Sequence, residues 1–157
     1  MACYSGPEGR APSMARVEPV TKLLGGKQVL GRTVTSRLEF VSLLREGLPY
    51  EALESITKKL DLSVDATTKS LQLPKRTLSR RKKSQRLDAL QSERVLRLAH
   101  VATRATEVLG TESRARSWLL AENRALGGDR PIDLLDTDIG TQAVEDVLVR
   151  IEHGVFS

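Results

Sequence analysis

From about residue 35 onward the apolar positions recur every three or four residues. Leu38, Val41 and Leu44 stand one turn apart, and Gly47 stops the helix they predict. Pro49 occupies a natural first-turn position for a second helix, with Leu53, Ile56 and Leu60 as its stripe. Ser63 is placed to cap a short third helix ending near Leu71, and Pro74 to open a fourth running to about Lys83. A long helix follows, with a cap expected near Ser92. Val95, Leu98, Ala99, Ala102, Ala105 and Leu109 line one side of it, and Gly110 ends it. Ala115, Trp118 and Leu119 mark the next helix. Gly127, Gly128 and Pro131 then break the chain into a loop and a short turn, Ile132 to Leu135. The last helix carries Val144, Val147, Leu148 and Ile151 and closes at Gly154. No segment alternates with period two for long enough to make a strand, so the expected fold class is all-α.

Residues 1–34 lack this rhythm. They hold Gly6, Gly9, Gly25, Gly26 and Gly31 with Pro7, Pro12 and Pro19, a pattern that predicts a flexible leader. The full length, 157 residues, suits one modest core or two small helical modules that lean on each other. No apolar run approaches the roughly 20 residues a bilayer span needs, and no secretion signal is legible at Met1–Gly6. The expected compartment is therefore the cytoplasm. One cysteine, Cys3, and two distant histidines, His100 and His153, supply neither a disulfide framework nor a zinc site.

The charge distribution changes the picture more than the net +5 does. Between Pro74 and Arg104 ten basic residues face two acids, a local net of +8. Between Asp129 and Glu152 seven acids face two arginines, a local net of −5. Two solvated helix faces would produce such a split, and so would two partners of opposite charge preference. The segment Val64 to Arg81 favours the second. Two short helices would meet at Gln72-Leu73-Pro74, with Leu71, Leu73 and Leu78 filling the angle between them. Lys75, Arg76, Thr77, Ser79, Arg80, Arg81 and Lys83 would then face outward on a helix suited to the DNA major groove. Glycine is commoner where Gln72 stands, which predicts an atypical angle.

Catalytic constellations are absent from the sequence. Gly25-Gly26-Lys27 lacks the spacing and the hydroxyl residue of a phosphate loop. Asp136, Asp138 and Gly140 lack the further ligands of a calcium loop, and Thr137 or Asp138 is better read as a helix cap. His100 reads as an ordinary ring in a helix, and Trp118 as core or as an interface anchor. Five aromatics in all make stacking platforms for single strands improbable. Val155 and Phe156 lie beyond a helix stop, where either a frayed end or a partner's pocket accounts for them.

A resemblance rests on Trp118-Leu119, Asn123, Leu126, Gly128, Pro131, Leu134-Leu135, Thr137, Gly140, Val144, Leu148, Arg150-Ile151 and Gly154. This spacing resembles the toxin-binding domain of the Xre/MbcA/ParS antitoxins. Upstream, Gly47-Leu48-Pro49 and Arg76 to Arg81 resemble the Xre-type helix–turn–helix domain that accompanies it. The resemblance implies a DNA-binding and dimerisation domain at 35–97 and a toxin-binding domain at 98–157, and residues 1–34, the expected leader, lie outside it. It further implies a non-enzymatic antitoxin, without cofactor or metal, that occludes the active site of a NAD-consuming RES-domain toxin, dimerises, and represses its own operon. Trp118, Asp136, Asp138, Arg150, His153, Val155 and Phe156 are the residues placed for toxin contact. A stand-alone repressor with a sensing or oligomerising C-terminal domain is the alternative reading.

Overall fold

The computed structural model describes residues 17–73 and 86–154. Its organising element is the long helix Ala89–Leu109, designated α6 below. Five helices precede it among the described residues: α1 (Val17–Leu23), α2 (Gly26–Leu30), α3 (Arg37–Glu46), α4 (Tyr50–Lys59) and α5 (Val64–Ser70). After it come α7 (Glu112–Leu120), two 3-10 turns at Arg124–Leu126 and Pro131–Leu134, and α8 (Asp138–Glu152). No strand occurs among the described residues, which are mostly helical.

α6 can serve as a common spine because its core face alternates bulk with alanine. Val95, Leu98, Ala99, Ala102 and Ala105 are buried, and the alanines let neighbouring helices approach closely. α1, α3 and α4 pack on one part of it, and α7 and α8 on another. The expected cap at Ser92 is replaced by Asp88. Its side chain accepts the Gln91 N–H at 2.8 Å, while the Gln91 side chain accepts the Asp88 N–H at 3.2 Å. This reciprocal box satisfies two otherwise orphaned donors. Ser92, one turn inside and buried, instead accepts the Leu48 N–H at 2.8 Å.

Two other expectations are corrected. In α3 the buried residues are Phe40 and Leu43, whereas Leu38 is 78% exposed and Val41 also lies in solvent. Both sets have one-turn spacing. The neighbour decides between them, because Phe40 meets the buried His100 ring edge-on at a centroid distance of 5.9 Å. Residues 17–34 form α1 and α2 and contribute Val20, Leu23, Leu24, Leu30 and Val34 to the core, so the flexible-leader expectation fails for this stretch. The break between the two helices depends on Gly25, at φ 103°. A Cβ there would lie 2.3 Å from a Val29 methyl, and the adjoining Leu23 carbonyl accepts from the Ser55 hydroxyl at 3.1 Å. Helices this short show no periodicity to read. The sequence pattern did place α4 correctly: Leu53, Ile56 and Leu60 are buried.

No helix among the described residues is long and apolar enough to cross a membrane.

Candidate functional site

α5 begins at Ser63, whose hydroxyl accepts the Ala66 N–H at 3.3 Å, and ends in a turn with Leu71 and Leu73 buried. Gln72 takes φ 54°, the left-handed region that favours glycine. The chain thus follows a glycine-like path here and holds the glutamine in it under strain. Arg94 of α6 grips the turn, donating to the carbonyls of Leu71 at 3.3 Å and Gln72 at 2.9 Å. Gln72→Gly is expected to raise unfolding stability by up to about 1 kcal/mol. Relief of about 1–2 kcal/mol of left-handed strain is partly offset by glycine's larger unfolded-state entropy. A urea titration checks this, and a lower midpoint would show that the side chain contributes more than its backbone strain costs.

α5 also packs against the turn Pro131–Leu134. Arg130 clamps Asp133 through two hydrogen bonds, of 2.7 and 3.0 Å, and reaches the Ser70 hydroxyl at 3.5 Å. Burial alone would raise the Asp133 pKa, but hydrogen bonds from Arg130 and Ser70 outweigh it and hold the carboxyl below its ordinary range. Further along α6, Arg97 donates to the Asp136 carbonyl at 3.2 Å, and Arg104 forms a two-pronged pair with Glu152 at the end of α8. Arg86 donates to the Gly47 carbonyl at 2.8 Å. Four arginines of the +8 segment are therefore engaged with the protein itself.

α8 is seated on the same turn. Thr137 caps it, accepting the Gly140 N–H at 3.0 Å, and a Cβ on Gly140 would lie 2.1 Å from the Leu134 carbonyl oxygen. Thr141, Val144, Val147 and Leu148 point inward, while Asp138, Ile139, Gln142, Asp146, Arg150 and His153 occupy the solvent side.

Two family descriptions match this chain, one on each module. Residues 39–100 match the antitoxin Xre-like helix-turn-helix domain, and residues 104–154 match the antitoxin Xre/MbcA/ParS C-terminal toxin-binding domain. The chain belongs to the Xre/MbcA/ParS antitoxin family. It is 28% identical to the antitoxin Xre of Yersinia enterocolitica over 141 residues, which covers 88% of this chain and 95% of that protein. A Pseudomonas putida antitoxin Xre is 36% identical over 83 residues, covering 52% of each chain. A Sphingobium protein named Prs ADP-ribosylating antitoxin is 27% identical over 132 residues, 78% of this chain and 83% of that one.

The antitoxin's predicted contact residues separate by position. Asp138, Arg150 and His153 share the exposed side of α8. Asp136 sits half-buried just before the Thr137 cap, with its carbonyl held by Arg97. Trp118 is half-buried on α7 and packs against the core. Lys75, Arg76, Thr77, Ser79, Arg80, Arg81 and Lys83, and likewise Val155 and Phe156, lie outside the described residues. Sequence reasoning missed Ile139, an isoleucine 81% exposed in the first turn of α8. Its signal was legible: it stands off the Val144, Val147, Leu148 stripe, on the opposite side of the helical wheel.

Proposed function

We propose that this antitoxin neutralises a RES-domain, NAD-degrading toxin by covering its active site, and that it represses its own operon as a homodimer in the cytoplasm. It acts by binding, with no catalytic step of its own. The observation that carries this reading is the match of residues 104–154 to the toxin-binding domain, in a chain whose segment Asp129 to Glu152 carries a net −5. An enzyme that consumes NAD must receive an anionic pyrophosphate, so its mouth offers cationic or N–H donor groups. Asp136 and Asp138, at the start of α8, complement such a mouth. Arg150 and His153 extend the surface toward the tail, where Val155 and Phe156 fill an apolar part of the cleft. The name of the Sphingobium relative includes ADP-ribosylating chemistry, which also starts from NAD. Lys75, Arg76, Thr77, Ser79, Arg80, Arg81 and Lys83 are assigned to operator DNA.

Co-expression with the toxin encoded beside it tests the reading. Ending the chain after His153 is expected to leave a folded, dimeric antitoxin that binds toxin about ten- to a hundredfold more weakly, the equivalent of losing a buried phenyl ring. Full rescue of growth by the shortened chain would remove the tail from the inhibitory contact.

A further inference from the structure

We propose that Ile139 anchors a second toxin contact, separate from the tail, in an apolar socket of the toxin ringed by cationic or N–H donor groups. This rests on the reading of residues 104–154 as the toxin-binding module. Among the described residues of that module, Ile139 is the large apolar side chain that stands well out in solvent, at 81% exposure. An isolated exposed isoleucine is ordinary on a protein surface. This one stands on a backbone that is closely held.

The backbone beneath it is fixed from three sides. Thr137 caps the helix through the Gly140 N–H, and the Thr141 hydroxyl donates back to the Thr137 carbonyl at 2.8 Å. Arg97 holds the Asp136 carbonyl at 3.2 Å. Gly140 lies so close to Leu134 that any side chain there would clash with its carbonyl oxygen. An apolar group already fixed in place loses little conformational freedom when a partner covers it, and such preorganised, centrally buried groups dominate interface energetics.

The surroundings select the partner. Asp136 and Asp138 precede Ile139, Arg150 stands three turns along on the same side of α8, and the segment Asp129 to Glu152 as a whole carries a net −5. A second copy of this segment, itself at net −5 with Arg150 counted, would be repelled overall, and so would DNA. A cationic rim around an apolar centre is the complementary surface. Ile139 stands 14 residues before His153, about 21 Å along the helix, so it and the tail engage separate parts of the toxin.

The test is calorimetric titration of a catalytically inactive RES-domain toxin with the full-length antitoxin and its Ile139→Ala and Ile139→Lys variants. The expected result is binding weakened about tenfold by alanine and about a hundredfold by lysine, which sets like charge against the cationic rim. Dimerisation and operator binding should stay unchanged and thermal unfolding nearly so, because the side chain is exposed. Wild-type affinity in Ile139→Lys would overturn the proposal. Loss of the dimer in that variant would also overturn it, by assigning the surface to a second copy. If ending the chain after His153 weakens binding while Ile139→Lys does not, the proposed function stands and the second contact falls. If the wild-type chain does not bind the toxin, both fall.

Discussion

Deleting residues 1–34 is expected to abolish the cooperative unfolding transition of the antitoxin and, with it, toxin neutralisation. The segment 17–34 places Val20, Leu23, Leu24, Leu30 and Val34 in the core, where α1 packs on α4 and α6. Removing a single buried leucine side chain costs about 2–5 kcal/mol, and a domain's whole stability is about 5–15 kcal/mol. Loss of four or five such groups at once exceeds that margin. Circular dichroism during heating checks this, with Leu24→Ala as a graded control expected to lose about 2–5 kcal/mol. A deleted chain that melts like the wild type would show that α1 and α2 contribute nothing to the core.

The second large effect concerns DNA. Replacing Arg76 and Arg80 together by alanine is expected to lower operator affinity by about two to four orders of magnitude. One good bidentate base contact is worth about 1–3 kcal/mol, and Arg76 and Arg80, four positions apart in sequence, would reach the same groove from the expected recognition helix. Had they contacted phosphates only, the loss would appear as a shallower salt dependence, by nearly one unit of slope for each contact. Arg94, Arg97 and Arg104 provide the contrast. They hold the Gln72 turn, the Asp136 carbonyl and Glu152, so substituting them should change the melting temperature and leave the salt slope unchanged. Titration of a labelled promoter at several salt concentrations separates these cases. Unchanged affinity and slope in the double variant would remove the assigned recognition helix from DNA.

These arginines show where reading the chain stops. Their number and sign are plain in the sequence, and so was the excess of positive charge between Pro74 and Arg104. Which of them face solvent is not, because a guanidinium on a long stem can reach a carbonyl far away in sequence. Arg97 and the carbonyl of Asp136 are 39 positions apart, and Arg104 and Glu152 are 48.

Local chemistry determined the rest of what could be read in advance. Ser63 and Thr137 cap their helices because a hydroxyl at that position accepts an N–H three residues on. Gly110 ends α6 in the left-handed conformation. The stripes of α4 and α8 were legible because each helix has one dominant apolar face. The helical class follows from such local signals, whereas the two-module plan rests on the resemblance to the two antitoxin domains. Tertiary structure decided the remainder. α3 has two faces with acceptable spacing, and contact with His100 selects Phe40 over Leu38. α1 and α2 are too short to be stable alone, and they fold because α4 and α6 supply the apolar surface they cover. Ile139 is left in solvent for the converse reason: α8 has its core on one side only, and no other part of the described chain covers the face on which Ile139 stands.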